Sequence, residues 1–404
     1  MPRFLKGIRD RINFAGGWLV SDGIQIMRYV PSLPRSLRKR TAPPLGRWSM
    51  LLPPVPDRLL SVAGIHRDLA IEEDAFAREP LRDWMEANRE PLRWYYRHHW
   101  RYLLPVAPRL SRALAAVRST DTLQARVNPP QMSAHELTSL VRQHAKHLGL
   151  SSIGIAAYDP KYTFAEYQGS ECGQTVVVCV LEQNYAATQT LPSSRCDRAI
   201  FSTYADLMQM TAKLAQFVAS KGHRARAYDD EGAAVVLHYA VEAGLGQLGL
   251  NGQLLTPAAG SRCRICLMIT DAPLMVDRPV DYGLTKICDA CRACVERCPV
   301  GAIPAKRTMH RGVMKARINV DRCFPAVAQV HNCGICMKVC PIQRYGLRAV
   351  LEEFEGSGRI LGKGTDELEG YDWPLDGRHY APGQKPRLQR EFFERTPDDR
   401  RHES

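Results

Sequence analysis

The sequence lacks long apolar runs and any strong compositional bias. No segment of the 404 residues reaches the roughly 18 consecutive apolar residues that a membrane-spanning helix needs. The N-terminus has no uninterrupted apolar region ending in small residues, as a secretory signal would, and we expect a cytoplasmic protein. Hydrophobic residues make up 45% of the chain and charged residues 24%, which excludes wholesale disorder and collagen-like repetition. At about 150 residues per domain, the length predicts two or three domains.

Cysteine is too sparse for a disulfide scaffold, with 13 residues in 404 and an odd total. The placement of the cysteines is more informative than their number. Eight of them lie between Cys288 and Cys340, most of them two or three residues apart. This is the spacing of metal ligands, and it favours a compartment in which thiols stay reduced.

Basic residues are concentrated near the N-terminus. The net charge is +13, and residues 1–50 contain ten basic and two acidic side chains. Such a segment could attract nucleic acid or an anionic membrane surface. We favour a solvated extension, and we leave peripheral membrane contact open.

The stretch from Trp94 to Tyr102 interleaves aromatic and basic residues. Platforms for single-stranded nucleic acid have this composition. An amphipathic helix that packs its aromatic rings on a larger core has it too, with arginine stems along the apolar surface. We favour packing, and nucleic acid is therefore not an expected partner.

The pattern along the chain predicts four parts. Residues 1–130 form a basic region rich in proline and aromatic residues, and residues 131–284 carry alternating helix and strand signals. Residues 285–345 form a cysteine module. Residues 346–404 have mixed charge and few apolar runs, which predicts a tail that wraps on the surface or is partly disordered.

Residues 131–284 are predicted to be an α/β layer. Ser133 and Glu136 form a capping box at the start of a helix, and residues 152–157 and 176–180 have the apolar character of buried strands. A long helix fits residues 198–221, where apolar residues recur at helical spacing. Strands that alternate with helices favour a sheet that is partly parallel.

The cysteine module contains two runs with the spacing of [4Fe–4S] ligands. The first has the form C-x2-C-x2-C-x3-C-P, in which a tight turn of backbone reaches three corners of one cubane and the fourth cysteine ligates a second cluster. The second run is a lone cysteine, nine residues, and then C-x2-C-x3-C-P. Crossing the fourth ligands gives set one, Cys288, Cys291, Cys294 and Cys340, and set two, Cys298, Cys323, Cys333 and Cys336.

The alternative is a pair of zinc sites. Zinc sites more often show two separated C-x2-4-C pairs, without three cysteines in a row followed by Cys-Pro. We favour two cubanes, which would relay single electrons from an outside donor to a site in the α/β layer. The other five cysteines lack such spacing, and we expect small buried residues at Cys172, Cys179, Cys196, Cys263 and Cys266.

A glycine-rich segment lies between helix and strand signals of the α/β layer. It contains Gly244, Gly246, Gly249, Asn251 and Gly252, and glycines let a backbone approach a flat or anionic ligand closely. The segment lacks the lysine of a phosphate loop and the order of a dinucleotide fingerprint. A tight connection would look the same.

Together with the residues that follow it, this segment resembles corrinoid-dependent reductive dehalogenases. The resemblance rests on Ala-Gly-Leu-Gly-Gln-Leu-Gly-Leu-Asn-Gly from residue 243, on Ile-Thr-Asp-Ala-Pro-Leu at 269–274 and on the two cysteine runs. It covers roughly residues 135–345. Epoxyqueuosine reductases, which act on transfer RNA, share the α/β layer and the double-cluster module and are the competing family.

The resemblance implies a fold class and cofactors. The fold would be a corrinoid-binding α/β layer followed by a ferredoxin-like double [4Fe–4S] module. Cobalamin would be held without a histidine from the protein, and no Asp-x-His-x-x-Gly motif is present to supply one. The five residues of the glycine-rich segment would lie at the corrinoid. A low-potential ferredoxin, flavodoxin or reductase would donate electrons, and the substrate would be a small halogenated molecule.

The resemblance also implies a tyrosine that donates a proton, and Tyr204 matches it. A phenol needs a nearby cation to act as an acid near neutral pH. The family has an arginine at the position of Leu250, and leucine cannot stabilise a phenolate. We therefore expect Tyr204 to be a slow acid or no acid, and no residue is identified that replaces the cation.

Three functions are compatible with the sequence. We favour a reductive dehalogenase-like reductase. The second hypothesis is an iron–sulfur electron carrier without catalysis, which Leu250 supports. The third is an enzyme that modifies transfer RNA and resembles epoxyqueuosine reductase, which the basic N-terminal segment supports.

Overall fold

The computed structural model describes residues 95, 99, 101–123, 132–162, 172–229, 234–310, 313–389 and 391–394. The basic segment 1–50 and most of the aromatic stretch before residue 101 lie outside these residues. Within the described ranges, none of the helices combines the length and the apolar character needed to cross a bilayer.

The first part of the described chain alternates helices and strands. Its elements are α1 (Ala107–Ser119), α2 (Ala134–His147), β1 (Ser152–Ala157), β2 (Thr175–Glu182), α3 (Tyr185–Thr188), α4 (Ser194–Ser220), β3 (Ala225–Ala227), α5 (Val236–Glu242), β4 (Gln247–Leu248), β5 (Leu254–Leu255) and β6 (Cys263–Thr270). Short 3-10 turns lie at Thr120–Thr122 and Pro160–Tyr162.

Four strands form one sheet in the order β1-β2-β6-β3, and every neighbouring pair is antiparallel. The prediction of a partly parallel sheet is therefore wrong. β2 and β3 do run in the same direction, with α4 as the crossover between them, as the alternation of elements suggests. β6 inserts between them, so that Val178 pairs with Leu267 and Arg226 pairs with Ile269.

Helices cover both faces of this sheet. Along β2, Val177 and Cys179 pack in one apolar cluster with residues of α1, α2 and α4. Val176 and Val178 point to the other face and pack with Tyr239 of α5. Because both faces are covered, β2 is apolar at successive positions rather than at alternate ones. The predicted mixed α/β layer is therefore present, with a different strand pairing.

Local sequence signals set the ends of several elements. The Ser133 Oγ accepts a hydrogen bond from the Glu136 N–H at 3.2 Å, as the capping box predicts. β1 has the predicted bounds. α4 begins at Ser194, four residues before the predicted start, because the Ser193 hydroxyl caps it by accepting from the Cys196 N–H at 3.2 Å.

The N-terminal aromatic stretch packs on this layer where the structure describes it. Tyr95 is 2% exposed and His99 is 6% exposed. α1 follows and packs on α4, where Arg109 forms an ion pair with Asp206 at 2.6 Å. The predicted packing role is therefore confirmed at Tyr95 and His99, and the rest of the stretch before residue 101 lies outside the described residues.

The second part of the chain consists of short elements around the cysteines. They are α6 (Leu284–Cys291), α7 (Ala293–Arg297), β7 (Thr308–His310), β8 (Val313–Lys315), α8 (Val320–Gln329), α9 (Ile335–Lys338), α10 (Pro341–Tyr345), α11 (Leu347–Ser357), α12 (Asp366–Glu369), β9 (Tyr371–Trp373), β10 (Arg378–Tyr380) and α13 (Glu391–Glu394). The domain boundaries at residues 130, 284 and 345 stay predictions.

A few buried side chains of residues 347–389 belong to the core of the cysteine module, and the prediction of a surface tail did not include them. Trp373 is 1% exposed and Val350 is fully buried. Both belong to the apolar cluster that contains Cys291, Cys298 and Cys340. The prediction failed because the apolar residues here are scattered, and only the tertiary fold brings them onto one surface.

Arg297 is buried inside the module and holds this segment by hydrogen bonds. Its guanidinium is 1% exposed and donates to the carbonyl oxygens of Glu369 at 3.1 Å, Tyr380 at 2.8 Å and Gln384 at 2.5 Å. The same group lies 4.8 Å from the ring centre of Tyr371. A buried guanidinium is stable only when its donors are used, so the segment and Arg297 require each other.

Replacing Trp373 with alanine should destabilise the cysteine module by about 3–5 kcal/mol, the usual cost of removing a buried aromatic side chain. Leu375 lies two residues away and is 50% exposed, so Leu375→Ala is a matched control that should have little effect. Denaturant unfolding of the cluster-loaded protein, followed by its visible absorbance, measures both. Equal and small effects of the two substitutions would contradict the placement of this segment in the core.

Candidate functional site

Short helices present the eight cysteines of the module. α6 carries Cys288 and Cys291, and α7 carries Cys294 before it ends at Cys298. Arg292 separates these two helices in a left-handed conformation, with φ of 55°, which turns the chain sharply between the second and third cysteine. Proline after Cys298 prevents the helix from continuing.

The second run follows a similar plan. α8 carries Cys323, a loop carries Cys333, and α9 carries Cys336. Cys340 is the residue before α10, whose first position is Pro341. Proline suits this position because the first N–H of a helix has no partner within the helix.

The thiols of set one converge on one another. Burial, together with the negative charges of Cys288 and Cys291, raises the pKa of Cys340 to about 12. Burial also raises the pKa of Cys294, and Cys340, Cys288 and Cys291 act in the same direction. Charge interactions of this kind require short distances, so the four side chains lie together.

The thiols of set two converge in the same way. Burial raises the pKa of Cys333 to about 12, with Cys323 and Cys298 adding to the rise. Burial raises the pKa of Cys336 well above its ordinary value, and the nearby charges include Cys323, Cys333 and also Cys294 of set one. The two sets therefore lie side by side.

A cavity lies among the thiols of set one. Its other lining residues are mostly apolar: Leu250, Leu255, Ile287, Val339, Pro341 and Ile342, with Asn251 and Arg292. A metal–sulfur group in such a cavity would be shielded from water on most sides.

Main-chain N–H groups are directed at several of the sulfurs. The backbone of Leu250 hydrogen-bonds to Cys288 and that of Ala293 to Cys291, and both contacts favour the thiolate. In set two, the Ala302 N–H donates to the Cys298 Sγ at 3.3 Å. Hydrogen bonds to the ligand sulfurs are a feature of iron–sulfur sites and help to set their potential.

The donor set fits two [4Fe–4S] clusters. Metal ligation requires thiolates, whereas burial raises the pKa of most of these thiols and so favours their protonated form. Bound iron would supply the missing positive charge. Among the described residues, no group of three or more His, Cys, Asp or Glu side chains is arranged around a single ion.

The glycine-rich segment forms a hairpin of β4 and β5 whose tip reaches set one. Each glycine is required by contacts within the chain. A Cβ atom at Gly244 would lie 2.5 Å from the Arg278 carbonyl oxygen, and one at Gly246 would lie 2.3 Å from that of Leu255.

The other glycines of the hairpin and Asn251 are also in contact with residues of this chain. A Cβ at Gly249 would lie 2.6 Å from the Asn251 Oδ1, and one at Gly252 would lie 2.9 Å from Ile318. Asn251 is 5% exposed and bonds to Gln253, whose N–H it accepts at 3.2 Å. These contacts account for the glycines without a ligand, so the predicted corrinoid contacts of this segment stay a prediction, and no reaction step is assigned to that group.

Tyr204 is half-buried on α4, and a cation does lie beside it. The guanidinium carbon of Arg264 is 5.3 Å from the centre of the Tyr204 ring. Arg264 is held in place by a hydrogen bond from its Nη2 to the Gln183 Oε1 at 2.7 Å. The expectation that the cation is missing is therefore wrong.

The sequence did not reveal this cation because it comes from β6, whereas Tyr204 lies on α4. Arg264 lies on β6, 60 positions after Tyr204, and no local spacing links the two residues. Leu250 is 1% exposed and lines the cavity of set one. The one signal that could have indicated it is the alternation of Arg262, just before β6, with Arg264 at the start of this mostly apolar strand.

The other five cysteines are explained by packing. Cys179, Cys196, Cys263 and Cys266 are buried, as predicted, and Cys172 is half-buried. Cys263 and Cys266 belong to the apolar clusters on opposite faces of the sheet. Neighbours three apart on a strand point to opposite sides, so this pair does not form a joint ligand set.

The cysteine module matches a known domain family, described as a 4Fe–4S dicluster domain, over residues 287–344. The predicted double-cluster module is therefore confirmed as a type of domain.

The chain is also similar to two kinds of reductase. A tetrachloroethene reductive dehalogenase of Desulfitobacterium hafniense is 34% identical over 156 residues, which is 38% of this chain and 27% of that protein. An epoxyqueuosine reductase of Lactococcus garvieae is 30% identical over 131 residues, which is 28% of this chain and 34% of that protein. The predicted resemblance to both families is confirmed.

A solved structure of a reductive dehalogenase is similar to this chain in its fold. A reductive dehalogenase with B12-dependent dehalogenation aligns with a TM-score of 0.54 and 22% identity, over 72% of this chain and 50% of that chain. The matched part spans only about a quarter to a third of the two relatives, 27% and 34% of their length. The mixed α/β fold is therefore shared.

Double substitutions test the crossed assignment of the cysteines. If set one and set two are as given above, Cys294→Ser with Cys298→Ser damages both clusters, whereas Cys298→Ser with Cys336→Ser damages one and leaves about four iron atoms per chain. The uncrossed assignment reverses these two results. Iron quantified after anaerobic reconstitution distinguishes them, with Cys263→Ser and Cys266→Ser together as the control that should leave both clusters intact.

Proposed function

We propose that the chain is an iron–sulfur reductase of the reductive dehalogenase type, which passes electrons through two clusters to cleave a carbon–halogen bond in a small molecule. The observation that carries this proposal is the pair of adjacent four-thiol sets, since a relay needs two centres close together. The tetrachloroethene reductive dehalogenase among the relatives favours the substrate class.

In the proposed relay, set one holds cluster one and set two holds cluster two. When bound, [4Fe–4S] clusters take up and release single electrons at potentials that reach about −700 mV. The chain holds the thiolates, directs N–H groups at the sulfurs and keeps water away with the apolar lining of the set-one cavity. Cys336 of set two lies near Cys294 of set one, so the two cluster sites are adjacent.

Reductive cleavage consumes two electrons and one proton and releases a halide ion, with a carbon–hydrogen bond formed where the carbon–halogen bond breaks. We assign the proton to Tyr204. Arg264 would stabilise the phenolate that remains. Tyr204 lies seven residues after Asp197 on α4, about 10 Å along the helix, and Asp197 contacts Asn332 beside Cys333.

Cobalamin as the electron acceptor is part of the proposal that rests on resemblance alone. The solved neighbour carries out B12-dependent dehalogenation. The glycine hairpin of this chain is packed against its own residues, so we assign no residue contact to the corrinoid.

The partners are proposals as well. We propose a low-potential ferredoxin, flavodoxin or reductase as the electron donor. All 13 cysteines are free, and a reducing compartment such as the cytoplasm preserves free thiols. Membrane contact through residues 1–50 stays a prediction.

Halide release tests the proposed reaction. Protein reconstituted anaerobically with iron, sulfide and cobalamin should release bromide from a brominated phenol when a low-potential donor is supplied. It should also retain cobalamin on gel filtration. The variant with Cys294→Ser and Cys298→Ser is the control. It should deliver no electrons through the clusters and should release no bromide.

Two outcomes would replace this proposal. If cobalamin elutes freely and no halide forms while both clusters are intact, the chain is an electron carrier. If the protein turns over epoxyqueuosine in transfer RNA and releases no halide, the second kind of relative, the epoxyqueuosine reductase, defines its function. Binding to transfer RNA should then weaken steeply with salt.

Substitution of Tyr204 by phenylalanine should lower the rate of halide release roughly 10²- to 10⁴-fold, the usual contribution of a general acid. Arg264→Gln should also slow the reaction, because the phenol becomes a weaker acid without its cation. Arg224 bonds to Asp271 at 2.9 Å rather than to this ring, so Arg224→Gln is the matched control. An unchanged rate in Tyr204→Phe would remove this residue from the mechanism.

A further inference from the structure

The loop that presents Cys333 has an unusual backbone. His331, Asn332 and Cys333 have φ values of 44°, 61° and 49°, and Gly334 follows with 71°. The left-handed region is disfavoured for residues that carry a Cβ atom. Three such residues in succession persist only where surrounding contacts hold them.

Asp197 provides the main contact. Its side chain is fully buried near the start of α4, and its Oδ1 accepts a hydrogen bond from the Asn332 Nδ2. Its Oδ2 accepts from the Tyr95 hydroxyl at 2.5 Å and lies 4.0 Å from the His331 Nδ1. One carboxylate therefore joins the start of α4, the N-terminal aromatic stretch and the ligand loop.

His99 supports the same loop from the N-terminal side. Its Nε2 lies 3.2 Å from the carbonyl oxygen of Ala328, and its ring centre lies 4.3 Å from that of His331. The aromatic stretch, whose composition also suits a nucleic-acid platform, thus contacts the loop of set two at both of its described positions before residue 101.

A carboxylate is the side chain that suits this position. It accepts from two donors at once, whereas an amide offers one acceptor oxygen and turns an NH₂ group toward the second donor. Burial of a carboxylate is costly unless such donors satisfy it. The arrangement is therefore selective for aspartate rather than for any residue of this size.

We propose that Asp197 is the positioning residue of cluster two: it holds the left-handed loop through Asn332, is itself anchored by Tyr95, and so fixes where Cys333 and Cys336 stand. This inference rests on the proposed function, since it requires a cluster at set two. It predicts that the loss of Asp197 weakens cluster two and leaves cluster one as it is.

The test uses backgrounds that each retain one cluster. In Cys340→Ser protein, which keeps cluster two, Asp197→Asn should speed the loss of iron to a chelator about tenfold, as expected when one hydrogen bond to a buried carboxylate is lost. The electron paramagnetic resonance signal and the midpoint potential of that cluster should also change. In Cys336→Ser protein, which keeps cluster one, Asp197→Asn should change none of these.

Further variants separate positioning from general destabilisation. Asp206→Asn makes the same chemical change on α4, where the partner is Arg109, and should not affect either cluster. Tyr95→Phe removes only a hydroxyl and should reproduce part of the Asp197→Asn effect. Asn332→Gly should restore cluster two in the Asp197→Asn background, because glycine adopts a left-handed conformation without support.

Different results would overturn the positioning role of Asp197 and the proposed reductase function. Wild-type protein that takes up no cluster at set two would overturn both. Wild-type protein with both clusters, combined with an unchanged cluster two in Asp197→Asn, would overturn the positioning role alone. Rescue by Asn332→Gly supports it, and equal damage to both clusters contradicts it.

Discussion

The burial of eight thiols in two adjacent groups is the constraint on which the rest of the structure depends. Burial and mutual repulsion raise the pKa values of several of these thiols, to about 12 for both Cys333 and Cys340. Ligation requires the thiolate, so iron that binds at either set would displace the thiol protons and tie together the short helices that carry the cysteines. Metal binding and the fold of the module are therefore coupled, and contacts that place the sulfurs become part of the function.

Three parts of the chain supply such contacts. The β4–β5 hairpin brings the Leu250 backbone to Cys288 of set one. Asp197 at the start of α4 holds Asn332, next to Cys333 of set two. The segment after residue 346 closes the module from a third side, where Lys363 donates to the carbonyl oxygen of Cys291. The clusters would thus lie where the α/β layer and the cysteine module meet, which suits electron transfer between them.

Features determined by local sequence could be predicted, and features determined by distant contacts could not. Cysteine spacing, the Ser133 capping box and the bounds of β1 each depend on residues within a few positions of one another. The antiparallel sheet depends on β6, which follows β2 by some 80 residues and inserts between β2 and β3. Sequence alternation alone cannot reveal such an insertion.

The same distinction applies to the candidate site. Arg264 on β6 contacts Tyr204 on α4, and Tyr95 contacts Asp197 across 102 positions of the sequence. Neither pair is linked by local spacing in the sequence. The buried position of Trp373 was missed for a related reason, because a few scattered apolar residues form a core only once the module has folded around them.

The central claim is that this chain holds two [4Fe–4S] clusters in adjacent sites, and metal analysis tests it most directly. Protein purified or reconstituted without oxygen should contain about eight iron atoms and about eight acid-labile sulfides per chain, four of each per cubane. Stoichiometric zinc in place of iron, with no labile sulfide, would contradict the account.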